Sequence, residues 1–375
     1  MNIDVIIILF FRSKQAPILK APLKFYRQGA IEASCLILTD KGTVVKAIVT
    51  RVTGCAPVMN IESRNIPQKR DGTSLVRIHR ASINQLSNTI RTGAFGDTSL
   101  PLVQGNEGAG IIEESDIFAK GTRVAVYGGG QLGITEDGMF QEWVVVDNRR
   151  IMVLPDSITL DEGAALTVNY LTAWHAVNRI AKVQTRETVL ISGSTGSVGH
   201  ALVQSAQVVG ATVIALVSSD KKASQAREAG AHFVINWQHG NVVEDVMALT
   251  GGKGADVAFD PVGGQLFTLL LASLRRRGQL ISIGFTGGKE ALVNLLNIIG
   301  QEKTVKGYAL HSDTPEQDSE GLEQLTVLAA QGYLRPVIDS IYEPGELEAG
   351  YQRLLSRQAT GSVILNLGAD DESEA

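Results

Sequence analysis

Between residues 45 and 155 the apolar positions come in short β-branched runs. The runs 46–52 (KAIVTRV), 74–83 (SLVRIHRASI), 108–114 (GAGIIEE), 122–128 (TRVAVYG) and 142–147 (EWVVVD) partly alternate, and glycine-rich breaks such as 127–133 (YGGGQLG) separate them. This texture predicts an irregular, mostly β domain. At 159 it changes. Thr159 and Glu162 form a Thr-x-x-Glu capping box ahead of 163–183, which predicts a helix broken near Asn169. From 187 onward strand-like stretches (187–192, 211–217, 232–236, 256–260, 278–284 and 304–310) alternate with helical ones. Six short apolar strands joined by crossovers predict an α/β fold with a parallel, doubly wound sheet buried on both faces. Residues 322–332 and 346–358 return to helical spacing, 361–367 read as a last strand, and 369–375 as a solvated acidic tail.

A chain of 375 residues suits two domains, and 44% hydrophobic residues with 39 glycines suit a sizeable core. A net charge of −5 gives no pull toward nucleic acid or an anionic membrane. Cys35 and Cys55 are too few for a disulfide scaffold or a four-cysteine zinc site, so a cytoplasmic protein is expected. The apolar run 5–11 (VIIILFF) is far short of the about 20 residues a membrane span needs, so no stable span is expected. Residues 12–27 carry five cations and no acid. Residues 1–44 therefore read as a membrane-associating or targeting arm, or as a poorly ordered extension or sequence upstream of a later start; the second is the expectation.

The stretch 191–200, ISGSTGSVGH, places Gly193, Gly196 and Gly199 at a spacing of three, between one strand and the helix that leads to the next. In such a βαβ unit the first glycine makes the sharp turn, the second lets the backbone approach a pyrophosphate, and the third lets the helix pack on the strand. The helix N-terminus then offers unpaired N–H groups to phosphate. The expectation is a dinucleotide cradle, with Thr195, Ser197 and Val198 completing the candidate set. Where an NAD-binding carboxylate would end the second strand stand Ser218 and Ser219, with Lys221 and Lys222 just beyond. Hydroxyls and a cation suit a 2′-phosphate, so NADPH is favoured over NADH. Asp220 is the competing feature, since it could serve as the NAD carboxylate displaced by one position.

The stretches GSTGSVG (193–199), DPVGG (260–264), ISIGFTGG (281–288) and PLVQGNEGAGIIEE (101–114) resemble the medium-chain dehydrogenase/reductase superfamily, and within it the zinc-independent quinone oxidoreductases, the group that includes zeta-crystallin. The resemblance runs from 45 to about 368. It implies a GroES-like β-rich catalytic domain (45–167, completed by 309–368) and a Rossmann domain (168–308). The zinc-dependent members of the superfamily hold their metal through cysteine and histidine. Here Asn84 and Asn106 take those positions and Glu107 is kept. Amides are poor zinc ligands, and the six histidines form no paired-ligand spacing, so no metal is expected.

Without a metal, the acceptors that need least polarisation are quinones and small α,β-unsaturated carbonyls, which take a hydride directly from the nicotinamide. By resemblance, Asn84 faces the nicotinamide and acceptor, and Thr172 the nicotinamide ribose. Ser218 and Lys222 face the 2′-phosphate, and Asp260, Gly263, Gly284 and Phe285 line the cofactor groove. Related enoyl-thioester reductases use a tyrosine proton donor in the segment matching 91–96; this chain has Phe95, with Tyr127 as either a substitute donor or pocket wall. The leading expectation is an NADPH-dependent quinone or enone reductase. A 2-enoyl thioester reductase and a non-catalytic NADPH-binding protein are the alternatives. The resemblance also implies a homodimer joined through 304–310.

Overall fold

The computed structural model describes residues 44–96 and 98–368. The expected N-terminal extension, apart from Val44, and the acidic tail lie outside the described residues.

The first half builds two antiparallel sheets. Strands β1 (Val44–Val52), β2 (Val58–Asn65) and β4 (Leu102–Val103) form the smaller, in the order β2-β1-β4. The larger follows β3 (Thr73–Ile83), β5 (Glu107–Glu114), β6 (Arg123–Tyr127) and β8 (Ile151–Val153), with β7 (Trp143–Asp147) also paired to β3. Strand β2 has no counterpart among the predicted runs. Its sequence, VMNIESRN, is largely polar and exposed, so β1 rather than a buried face holds it in register.

The helical stretch after 159 opens with the predicted capping box: Glu162 donates its N–H to the Thr159 hydroxyl, and Thr159 N–H donates back to the Glu162 carboxylate. Its break falls at Ala165 and Leu166, between the helices Leu160–Ala164 and Thr167–His175, and earlier than Asn169. A π-helical turn, Ala176–Ala181, follows.

The six-stranded sheet contains β9 (Thr188–Ile191), β10 (Thr212–Val217), β11 (Phe233–Asn236), β12 (Ala255–Asp260), β13 (Leu274–Ser282) and β14 (Thr304–Gly307). All its pairings are parallel, and its order is β11-β10-β9-β12-β13-β14. The order reverses beside β9, the switch point where doubly wound sheets bind nucleotides. Val189, Leu190 and Ile191 have no exposed surface because helices cover both faces.

The chain then returns to the first half. Strand β15 (Ile338–Tyr342) pairs in parallel with β16 (Ser362–Asn366), and β16 runs antiparallel to β3. The larger antiparallel sheet is thus completed from the C-terminal part of the chain. Its β15 lacks the alternation that marks strands.

Candidate active site

The turn after β9 has the geometry its glycines predict. Gly193 sits at φ +55°, in the left-handed region, and a Cβ there would lie 2.7 Å from the Val262 side chain. A Cβ on Gly199 would lie 2.0 Å from the Gly193 carbonyl oxygen, so only glycine lets the helix sit this close. Gly196 is different. A Cβ there would meet only Gly193 O, at 3.4 Å, which leaves its outer side open for a ligand. Gly196 caps the helix Ser197–Val208 without a side-chain hydrogen bond, so the first N–H groups of that helix have no cap. The candidates between the glycines serve the fold as well. Thr195 is buried, Val198 packs on the core, and the Ser197 hydroxyl donates to Gly361 O at 3.0 Å. Gly361 N–H in turn donates to Thr195 O, at 3.0 Å. The loop before β16 therefore backs the cradle, a contact that no local motif announces.

Beyond β10, Ser218 and Ser219 are half-buried. Asp220 accepts from the Asn236 amide at 2.9 Å, which ties it toward β11. The Lys222 ammonium donates to Arg357 O at 2.8 Å, and burial, with Arg353 nearby, lowers its pKa. Arg357 is held at φ +59°, and its guanidinium donates to Thr286 O at 3.2 Å. It bridges the C-terminal segment and the loop after β13, next to Lys222. The sequence offers no signal for this role beyond a basic residue in a helical stretch.

At the carboxyl ends of β13 and β14 lies a cleft of about 810 Å³, lined by residues 282–285 and 307–309 with Lys289, Ser312 and Asp313. Gly284 and Phe285, expected to line a cofactor groove, lie in its wall. Asp260 and Gly263 do not. Asp260 is fully buried and accepts from Ser192 Oγ (2.6 Å), Val262 N–H (3.0 Å) and Gly263 N–H (2.9 Å). A Cβ on Gly263 would lie 2.6 Å from Gly288 O. Both residues brace the loops that shape the groove from beneath. Thr172 is buried inside the helix Thr167–His175, well past its start.

Asn84 caps the helix Gln85–Arg91, with its side-chain oxygen accepting from Ser87 N–H at 3.0 Å. Its amide donates to Asn106 Oδ1 (2.9 Å) and Glu107 Oε1 (3.3 Å). Glu107 has no exposed surface and accepts from Val168 N–H at 2.9 Å, and burial pushes its pKa up to about 7. The positions at which the resemblance would put zinc ligands thus form an amide–amide–carboxyl network, a donor set that does not fit the metal. Among the described residues no group of three or more His, Cys, Asp or Glu side chains is placed to hold a metal ion.

Tyr127 is 1% exposed and packs in the core, and burial raises its pKa. It is not among the residues that line the cleft. Phe95 meets the His311 ring edge-on at 6.1 Å between centroids. A charge network with no sequence motif reaches the cleft wall at Tyr308 and Asp313. Asp313 accepts from Tyr308 OH (2.8 Å) and pairs with His175 Nδ1 (2.9 Å) and Arg179. Arg150 pairs with buried Asp318 at 3.0 Å, and burial raises the Asp318 pKa to about 6.

Comparison with known proteins gives the lineage. Residues 70–156 match the alcohol dehydrogenase GroES-like domain model and 197–326 the zinc-binding dehydrogenase model. A quinone oxidoreductase of Pseudomonas aeruginosa is 31% identical over 318 residues, 81% of this chain and 95% of its own. Among solved structures, an NAD-dependent alcohol dehydrogenase superposes with a TM-score of 0.79 at 25% identity, over 86% of this chain and all of that one. Mycobacterial Rv1454c complexed with NADPH superposes with a TM-score of 0.77 at 26% identity, over 86% of this chain and 99% of that one.

Proposed function

From a chain that belongs to the quinone oxidoreductase group of the medium-chain dehydrogenase/reductase superfamily, and is therefore an oxidoreductase, we propose a specific activity: NADPH-dependent hydride transfer to a quinone or a small α,β-unsaturated carbonyl, with no metal in the step. The observation that carries this reading is the Asn84–Asn106–Glu107 network, in which hydrogen-bonded amides and a carboxyl stand in place of a Lewis-acid donor set. Acceptors that ionise a carbonyl only after the hydride has arrived suit such a site.

The cradle residues Gly193, Gly196 and Gly199 would hold the pyrophosphate at the N-terminus of helix Ser197–Val208. Ser218, Lys222 and Arg357 would face the 2′-phosphate, with the Lys222 ammonium already fixed against Arg357 O. When bound, NADPH supplies the hydride from C4 of its nicotinamide. Gly284 and Phe285 wall the cleft where the ring would lie, Thr172 would pack beside the ribose, and Asn84, whose two amide N–H groups go to Asn106 and Glu107, would fix that pair at the acceptor's side of the site. A proton on the reduced oxygen comes from solvent, since Phe95 has none to give.

Strand β14, exposed at all four residues and at the edge of its sheet, lies near the exposed Leu295, Leu296 and Ile299. We propose that a second copy pairs here. No helix among the described residues is long and apolar enough to cross a membrane, and with Cys55 free and exposed a reducing cytoplasm is the proposed compartment.

The test is NADPH oxidation against a polycyclic ortho-quinone, a simple enone and crotonyl-CoA, side by side. The expected result is rapid turnover with the quinone or enone. Turnover confined to crotonyl-CoA would replace the reading with enoyl-thioester reduction. Tight NADPH binding with no turnover on any of the three would mark a binding protein.

A further inference from the structure

The chain between helix Leu347–Leu355 and β16 crosses the carboxyl ends of the parallel sheet. After β9, Gly361 N–H donates to Thr195 O and the Ser197 hydroxyl donates to Gly361 O, both at 3.0 Å. After β10, the Gln225 amide donates to Thr360 O at 3.2 Å and the Lys222 ammonium to Arg357 O at 2.8 Å. After β13, the Arg357 guanidinium donates to Thr286 O at 3.2 Å. On its own side the segment is fixed by Asp339, which pairs with Arg353 and accepts from Thr360 N–H at 2.8 Å.

Arg357 follows the helix at φ +59°, a left-handed position that glycine takes more easily. A side chain kept at such a position points to a use for it. In the sheet order β10 and β13 are three strands apart, about 14 Å at ordinary strand spacing. The Arg357 carbonyl is held at the β10 end and its guanidinium at the β13 end. One residue therefore joins the place proposed for the 2′-phosphate to the loop that carries Phe285 in the cleft wall. That loop is exposed from Phe285 to Gly287. It is tied by Gly287 N–H to Val262 O at 2.7 Å and by Gly288 N–H to Phe285 O at 3.0 Å. A guanidinium is a rigid fork of five N–H donors, so it can serve Thr286 O and a phosphate at once.

We propose that Arg357 is a positioning residue that couples the two ends of the cofactor site: a 2′-phosphate fixes its guanidinium, and the guanidinium fixes the Thr286 loop and with it the Phe285 wall. The inference rests on the proposed 2′-phosphate site. NADPH then differs from NADH in more than affinity, because it also steadies the wall against which ring and acceptor meet. Coupling of this kind is reciprocal, so a steadied loop holds the phosphate better in turn.

The test is amide hydrogen exchange on the full chain, read by mass spectrometry on peptides spanning 283–290, at saturating NADP⁺ and at saturating NAD⁺. In the wild type NADP⁺ is expected to slow exchange of this loop about threefold more than NAD⁺, the size of a well-held exposed charge contact. Arg357→Lys keeps a cation for the phosphate, but a compact ammonium lacks the fork, so both cofactors should protect the loop equally. In turnover at saturating cofactor, the wild-type KM for 9,10-phenanthrenequinone should be about threefold lower with NADPH than with NADH at the same kcat, and Arg357→Lys should remove that difference. Equal protection by the two cofactors in the wild type, alongside tighter binding of NADP⁺, overturns the coupling and leaves the 2′-phosphate site standing. A protection difference that survives in Arg357→Lys overturns it as well. Equal affinity for NADP⁺ and NAD⁺ removes the 2′-phosphate site, and the coupling with it. Absence of quinone turnover counts against the proposed activity, while hydrogen exchange still decides this inference.

Discussion

At the scale of single residues, the three cradle glycines separate structural from functional roles. Gly196 has ordinary backbone angles (φ −79°, ψ 167°) and room for a Cβ, whereas Gly199 has none. Gly196→Ala should leave stability within about 0.5 kcal/mol, as an unstrained surface substitution does, yet weaken NADPH binding at least tenfold. Gly199→Ala should destabilise the fold despite the better helix propensity of alanine, by about 1–3 kcal/mol from overpacking. Urea unfolding and cofactor titration on both variants check this; unimpaired binding in Gly196→Ala would make the turn merely structural. Glu107 gives a pH signature. Its native pKa of about 7 lies above the unfolded value, so the proton binds the native state more tightly. Stability should fall as pH rises from about 4.5 to about 7 and then level off, by as much as about 3 kcal/mol. Asp318, raised to about 6, slopes the same way. Comparison with Glu107→Gln isolates the glutamate: the variant's thermal midpoint should depend less on pH across that window, and parallel curves would contradict the assignment.

At the scale of elements, legibility followed local physics. The central parallel strands β9, β10 and β12 show in the sequence because each is an apolar run covered on both faces, and Thr159 marks its helix because the capping box is a local bond. β2 and β15 do not show, since pairing with β1 and β16 holds them rather than their own pattern. The cradle was legible for the same local reason. Arg357, Gly361 and Asp313 were not, because each acts on residues far along the chain: Lys222, Thr195 and His175. Asp260 was misplaced because its motif marks the turn without saying which side of it the carboxylate takes. Asp313 draws together the π-helical turn, Tyr308 and the helix Thr167–His175. Asp313→Asn should therefore cost about 3 kcal/mol, the usual effect of breaking a largely buried ion pair from one side. Urea unfolding would show this as a lower midpoint at unchanged slope; a loss below about 0.5 kcal/mol, the range of an ordinary surface change, would mean the network contributes little.

At the scale of the whole molecule, the antiparallel sheets, completed by β16, and the parallel sheet bring Asn84 and the strand-end cleft into one compact body. The exposed edge of β14 continues that architecture outward. Light scattering should give twice the chain mass, and Leu296→Glu should halve it by placing a charge in the apolar patch; a monomeric wild type would remove the pairing. The central claim is reduction by NADPH, with Lys222 among the residues that read its 2′-phosphate. The most direct measurement is kcat/KM for NADPH and NADH with a polycyclic ortho-quinone, in the wild type and in Lys222→Met. At least a tenfold preference for NADPH is expected in the wild type, lost in the variant through a raised KM for NADPH alone. Equal use of the two cofactors, or a preference for NADH that the variant leaves untouched, would contradict it and give the ribose to Asp220.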